Sequence, residues 1–399
     1  MAKWNKGLIF AMEELEENEA PEVEGGADSL ETSMLETNEA GADLDDMDSS
    51  IEEAVEGAEE IEAIADTMED TIEEGGADAA TARVAEVAVE SVYKRLNINR
   101  RAIPSLESFG TRSSRAQATR YAVEGFKEQA QAIWKRIWEA IQKAWAWIKG
   151  WYEKLFDANV KLEARAKKLK EAAGKLSGSP KEGQMDAGGI GVALALGGSF
   201  SASNVVKGLK ETGLVVKKNN TNIAKATEVL GGVSLKSDVT TIAASISGKI
   251  TDLAGSKLPG NKEVKLEKTR FFDKMKPVIS ESGKSDAKIE KIDVASTSDM
   301  SAIADAVLSI SEGVKGSKEM SSKLDKSYGK LKDLIQSGLK ETTKESEDKE
   351  ASKQLMQAIP ELNSGLIAMA KTVNSYAMGV AKTGLDYVEK SMKQYEAAK

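Results

Sequence analysis

The residue types that usually do chemistry are scarce in this chain of 399 residues, which contains no Cys and no His. Thiol nucleophiles, disulfides, zinc sites built on nitrogen and sulfur, and every triad that runs through an imidazole are therefore excluded. What remains is carboxylate, hydroxyl and amine. Ser-x-x-Lys, a spacing used by some acyl-transfer nucleophiles, occurs at Ser285/Lys288 and Ser346/Lys349, but a chain this rich in Ser and Lys produces such pairs by composition. The run Asp43-x-Asp45-Asp46-x-Asp48 has the look of a calcium loop, yet the central Gly and the distal Glu are missing. In the glycine-rich stretch Gly188 to Gly198, Leu194 stands where a dinucleotide fingerprint needs its third glycine, and no Gly-Lys-Ser/Thr follows. That stretch reads as a short strand or apolar turn. The many neighbouring carboxylates between Ala11 and Ala80 repel one another and make poor acids or bases without a pocket to shift them; at most they hold Ca²⁺ or Mg²⁺ diffusely. No catalytic residue, no metal site and no cofactor is expected, and the chain reads as a non-enzyme.

Aromatic and basic side chains offer binding instead. Trp134, Trp138, Trp145, Trp147 and Trp151 are five of the six tryptophans. They run beside a helical stripe of Ile133, Ile137, Ile141, Ala144, Ile148 and Leu155, while Lys135, Arg136, Lys143, Lys149 and Lys154 fill much of the opposite side. The pattern predicts one long helix or a helix pair from about 116 to 173, broken at most near Gly150. Such a face packs against a neighbouring helix or a second copy, lies in a lipid interface, or stacks on bases while its lysines meet phosphates. Packing is the commonest of the three uses.

Charge is distributed unevenly. Residues 1–107 carry 30 acidic and 7 basic side chains, a net of −23, and residues 108–399 carry 35 and 48, a net of +13. From Ala11 to Ala80 there is no Lys or Arg at all. Asymmetry of this kind marks a tail or a separately acting segment. Residues 11–50 read as a disordered acidic arm. From Ile51 onward Val55, Ala58, Ile61, Ala65, Met68 and Ile72 recur at helical spacing, and such an acidic helix needs a basic partner or a shielded setting. A second amphipathic run, Arg83 to Leu96 with Val84, Val87, Ala88, Val92 and Tyr93, leads into the basic cluster Lys94, Arg95, Arg100 and Arg101. The apolar run after Lys3 and Lys6 is too short for a secretory signal, and no stretch approaches the roughly 20 apolar residues of a membrane span.

The expected fold class is mainly α, with long amphipathic helices and a C-terminal helical hairpin, a small α+β middle region and a disordered acidic N-terminal arm. The expected parts are 1–107 (acidic), 108–178 (basic and Trp-rich), 179–296 (α+β) and 297–399 (hairpin). Within the last, Ile303, Val307, Ile310 and Val314, then Leu324, Tyr328, Leu331 and Ile335, mark one helix. Pro360 marks the start of the next, whose stripe is Leu366, Ala370, Val373, Ala377 and Val380.

At the acid–base boundary the sequence reads Arg100-Arg101-Ala102-Ile103-Pro104-Ser105-Leu106-Glu107-Ser108-Phe109-Gly110. With this layout the chain resembles the internal head, or inner-body, proteins of phiKZ-like jumbo bacteriophages. The resemblance implies a structural protein of the virion interior, present in host cytoplasm during assembly, with a propeptide removed by a prohead protease. That protease cuts after Glu in a small-residue-x-Glu motif, which Ser105, Leu106 and Glu107 satisfy, with Ser108 next. Ala11, Met12 and Glu13 are a secondary candidate. Ser29-Leu30-Glu31, Ser50-Ile51-Glu52, Ala54-Val55-Glu56, Ala88-Val89-Glu90 and Ala122-Val123-Glu124 also match. Ser105–Glu107 stands apart because charge changes sign there and because Pro104 disfavours helix, which leaves an extended backbone for a protease. Implied partners are the prohead protease, other internal head proteins or the chain itself, packaged DNA through weak electrostatics, and a membrane after ejection. Two alternative functions remain: a membrane-active ejected protein working through the Trp/Lys helix, and a cytoplasmic helical interaction protein with an acidic tail.

Overall fold

The computed structural model describes residues 27–98, 106–234, 236–250, 253, 256–273, 275–282, 289–341 and 349–395. The fold is mainly α: α1 (Ala27–Asp70), α2 (Ala79–Arg95), α3 (Arg112–Gly174), α4 (Gly188–Leu194), α5 (Ala202–Leu230), α6 (Val239–Lys249), α7 (Thr297–Glu341) and α8 (Lys349–Met392). Two small antiparallel sheets lie between. β1 (Gln184–Asp186) pairs with β5 (Lys291–Asp293), and β2 (Lys257–Leu258), β3 (Lys262–Glu267) and β4 (Lys276–Glu281) form a meander. The chain divides into two compact units, one holding 43–144 and the other 27–42 with everything from Trp145 onward. The helices α1 and α3 contribute residues to both.

In the first unit, α1 contributes the apolar side chains Leu44, Ile51, Ala58, Ile61, Ala65 and Met68 to the core. The helix ends where Gly75 and Gly76 take φ of +103° and +92°. Asp78 then caps α2 by accepting from the Thr81 amide at 2.8 Å, and those hydrogen bonds hold its carboxyl below the usual range. Lys94 and Arg95 close α2 at its negative end, Arg95 reaching Glu60 at 2.9 Å. The buried face of α2 is Ala82, Ala85, Val89 and Val92, with Leu96 after it. Val84 and Val87 lie exposed. Helix periodicity alone favoured the larger residues, whereas the buried face includes Ala82 and Ala85; near the end of α2, Gly57 of α1 leaves room for Val92 and Leu96. A Cβ on Gly57 would sit 2.6 Å from the Leu96 side chain.

The second unit is a helical bundle around α5, α7 and α8. Asn220 donates to the Gly313 carbonyl at 2.9 Å and Ser327 to that of Thr227 at 3.2 Å, so α5 and α7 run parallel. Ser317 meets Asn374, and Gly384 abuts Ile303 and Val307, which makes α7 and α8 the expected antiparallel hairpin. The part of α3 beyond Trp145 lies along α7, with Asn159 donating to the Ser311 carbonyl and Lys170 pairing with Asp305. Arg165 forks to Asp386 (2.8 Å) and Glu389 (2.7 Å) on α8.

Three expectations change. The arm expected to be disordered over 11–50 is helical from Ala27, because the stripe Leu30, Ser33, Thr37, Gly41 and Leu44 is buried; residues 11–26 lie outside the described set. The start of the glycine-rich stretch is the helix α4 rather than a strand or turn, and Gly191 lets it close against Ile289, where a Cβ would stand 2.7 Å away. Pro360 lies inside α8 rather than at its start. Its missing N–H and ring leave the Met356 carbonyl without its usual intrahelical donor, an interruption that the buried neighbours Ile359, Leu362 and Leu366 outweigh. Of the two forms expected over 116–173, a single helix or a pair, α3 is the single helix, running through Gly150 without a break.

Arg165 is an enclosed cation, its side chain only 14% exposed. Replacing it by Met is expected to destabilise the chain by about 1–3 kcal/mol in urea unfolding, since Asp386 and Glu389 lose their enclosed donor and keep only Lys382 and Lys393. Hydrogen bonding to Arg165 holds the Glu389 carboxyl below the usual glutamate range. Its stabilisation is complete above that range and fades as pH falls through the lowered native value. In Arg165→Met that part of the acid limb should flatten.

Candidate functional site: the junction and the tryptophan face

Small-x-Glu triplets differ sharply in their backbone setting. Three of them, at Glu31, Glu52 and Glu56, lie inside α1; those at Glu90 and Glu124 lie inside α2 and α3. The central residues Leu30, Ile51, Val89 and Val123 are buried. A protease needs several residues of extended chain in its cleft, so each of these sites requires local unwinding of a packed helix. Leu106 and Glu107 instead open a single 3-10 turn, Leu106–Phe109, between α2 and α3. Ser108 is half-buried, Phe109 is buried and Gly110 is exposed. Arg115 donates its Nε–H to the Phe109 carbonyl at 2.9 Å, which ties the turn to the start of α3 and accounts for a turn where an extended backbone was expected. Leu106 and Glu107 thus lie outside the long helices that hold the described triplets quoted above. Ser105 and the secondary candidates Ala11, Met12 and Glu13 lie outside the described residues.

The tryptophan face is buried within the chain. In the first unit Trp134 stacks on Trp138 (centroids 5.6 Å apart, planes at 20°) and donates its indole N–H to Glu62 of α1 at 2.8 Å. Lys127 pairs with Glu69, and the Ala77 amide donates to Thr119 at 2.9 Å. Glycine at 76 permits this seat: a Cβ there would lie 2.5 Å from the backbone of Arg115 and Ala116. In the second unit Trp151, fully buried, donates to the Thr37 carbonyl of α1 at 3.1 Å. Lys161 reaches Ser29 and Ser33, and Lys371 reaches the Gly41 carbonyl at 2.9 Å. Trp145 stacks on Tyr328 at 4.8 Å, and burial pushes that phenol up to about 12. Trp147 is half-buried. On the outer side Lys135, Arg136, Lys149 and Lys154 are exposed and Lys143 is half-buried. The indole N–H groups of Trp138 and Trp145 find no hydrogen-bond partner among the described residues.

Sequence reading left the cover of the tryptophan face unidentified. The signal was present: Leu30, Thr37, Leu44, Ile51, Ala58 and Ala65 recur every seven residues and are all buried. Polar Thr37 and the acidic surroundings hide that recurrence from a hydrophobicity count.

Other candidates do not assemble. Asp43, Asp45 and Asp46 lie exposed on α1 while Asp48 turns inward. No group of three potential metal ligands occurs among the described residues. Ser285, Lys288 and Ser346 lie outside the described set. An apolar cavity bounded by Leu230, Phe272, Leu331, Leu355 and Ile359, among others, has only hydrocarbon walls. No helix of the described residues is long and apolar enough to cross a membrane.

A family profile of phiKZ-like phage internal head proteins matches residues 39–390, most of the chain. The chain belongs to the phiKZ-like phage internal head proteins. The match begins within α1 and crosses the junction, so part of the acidic segment and nearly all of the basic remainder belong to the family pattern. This internal head protein is thus a structural component of the phage head interior. No curated protein and no solved structure matches the chain.

Gly76→Ala tests the seat of the acidic segment in the first unit. Positive φ and contact with the backbone of α3 together should lower stability by about 1–3 kcal/mol or more, read by urea unfolding with tryptophan emission.

Proposed function

We propose that this internal head protein is made with an acidic propeptide, 1–107, that a prohead protease severs after Glu107 during head maturation. The carrying observation is the coincidence of two boundaries. Charge changes from −23 to +13 at Glu107, and the turn Leu106–Phe109 lies outside the long helices that hold the other described triplets. Within an immature head the acidic part offsets the body and keeps it from DNA. Once the acidic part is gone, the body neutralises phosphates and releases counterions as DNA enters, or joins other inner-body proteins. Assembly takes place in host cytoplasm, and the mature body is available to leave with the genome.

Membrane contact finds less support, because the four tryptophans Trp134, Trp138, Trp145 and Trp151 are buried in the intact chain.

The test is intact mass and N-terminal sequencing of the chain taken from particles. The expected chain starts at Ser108 and binds duplex DNA with a steep salt dependence, whereas the full-length chain binds little. In particles carrying Glu107→Gln the chain should remain uncut at this position. A wild-type chain that starts at its original N-terminus in mature particles refutes the proposal.

A further inference from the structure

Cleavage of one peptide bond does not dismantle a packed interface. Hydrolysis adds water across Glu107–Ser108, leaving a carboxylate on Glu107 and an ammonium on Ser108 at neutral pH. The two pieces together therefore still carry the net −10 of the chain. Whether the basic body is released depends on what holds the acidic piece.

In the first unit Leu44, Ile51, Ile61, Met68, Val92 and Leu96 are each 2% exposed or less on the acidic side. Ile133, Ile137, Trp138 and Ile141 are equally enclosed on α3. Glu62 with Trp134, Glu69 with Lys127, and the Ala77 amide with Thr119 fix the register. In the second unit, independently, the Thr37 and Gly41 carbonyls take the Trp151 indole and the Lys371 amine, and Lys161 is bound by Ser29 and Ser33. None of these contacts depends on the link between Leu96 and Ser108.

We infer that residues 27–98 are a seated cover. A single cut after Glu107 leaves a nicked, two-piece protein in which the acidic piece stays on the tryptophan face and the basic body stays neutralised. Release comes at a later step, when α1 itself is cut or displaced. The sites at Glu31, Glu52, Glu56 and Glu90 are closed by helix and burial, so they open only when the cover is displaced, whereas the junction is open while the cover is seated. Maturation is then ordered, and the charge switch answers to removal of the cover rather than to the first cut. This inference rests on the proposed cleavage and deepens it.

The test places the recognition sequence of a site-specific protease at residues 99–105 of the full chain and cuts it to completion under native conditions. Both pieces are expected to co-elute at the volume of the uncut chain in size-exclusion chromatography at nanomolar concentration. Tryptophan emission should not shift, and retention of a duplex oligonucleotide at low salt should not rise. Separate elution of the acidic piece, a red shift of emission or a gain in DNA retention each overturns the inference. Because this cut is introduced artificially, its outcome is independent of the natural one. Sequencing the particle-derived chain reports on the cleavage proposal, and co-elution reports on the cover.

Discussion

Everything in this fold follows from the broad apolar face of α3. Isoleucine and tryptophan at helical spacing over some 25 residues cannot remain in water, and burial of each such side chain contributes roughly 1.5–3 kcal/mol. The chain meets that demand from its own N-terminal side. In the first unit the cover is α1 from Asp43 onward, on which α2 packs; in the second it is the start of α1 together with the hairpin helices. An acidic segment that composition alone presents as a solvated tail is thereby part of the core.

Charge and burial divide the work on α1. The helix carries 17 Asp and Glu and not one Lys or Arg, yet the buried stripe repeats every seven residues and leaves most carboxylates facing outward. Exposed pairs such as Lys127 with Glu69 are worth about 0–1 kcal/mol. Exposed pairs of this kind add little to holding the acidic and basic parts together. Apolar contact and a few indole and amine hydrogen bonds do that, while the excess charge governs what else the molecule attracts over a Debye length.

The second unit uses polarity for alignment. Asn219 donates to the Met369 carbonyl, Asn220 to Gly313, Ser317 to Asn220 and Asn374, and Asn374 to Ala370, all buried among α5, α7 and α8. Small residues at Gly213, Gly313 and Gly384 let these helices approach closely enough for the bonds to form. A one-turn slip would leave several buried amides unpaired, at about 1–3 kcal/mol each, so the seam sets one register. Asn363 is the exception, fully buried with neither amide atom bonded among the described residues.

Helical periodicity made α3, α7 and α8 legible, because Ile137, Val307 and Leu366 belong to stripes whose period needs no partner to be recognised. The absence of Cys and His removed whole classes of chemistry, and the sign change at Glu107 marked the junction. Neither the helix at 27–50 nor the inward alanines of α2 could be read in the same way. Thr37 and Ser33 become core residues only when Trp151 and Lys161 supply their partners, and that Ala85 rather than Val84 is buried depends on which face of α2 meets its neighbours. Among equivalent triplets, too, the sequence shows only the motif; burial of Ile51 and Val89 inside helices is what separates them from Glu107. Composition and period are properties of a segment, whereas cover, register and access belong to pairs of segments distant in sequence, and only packing decides those.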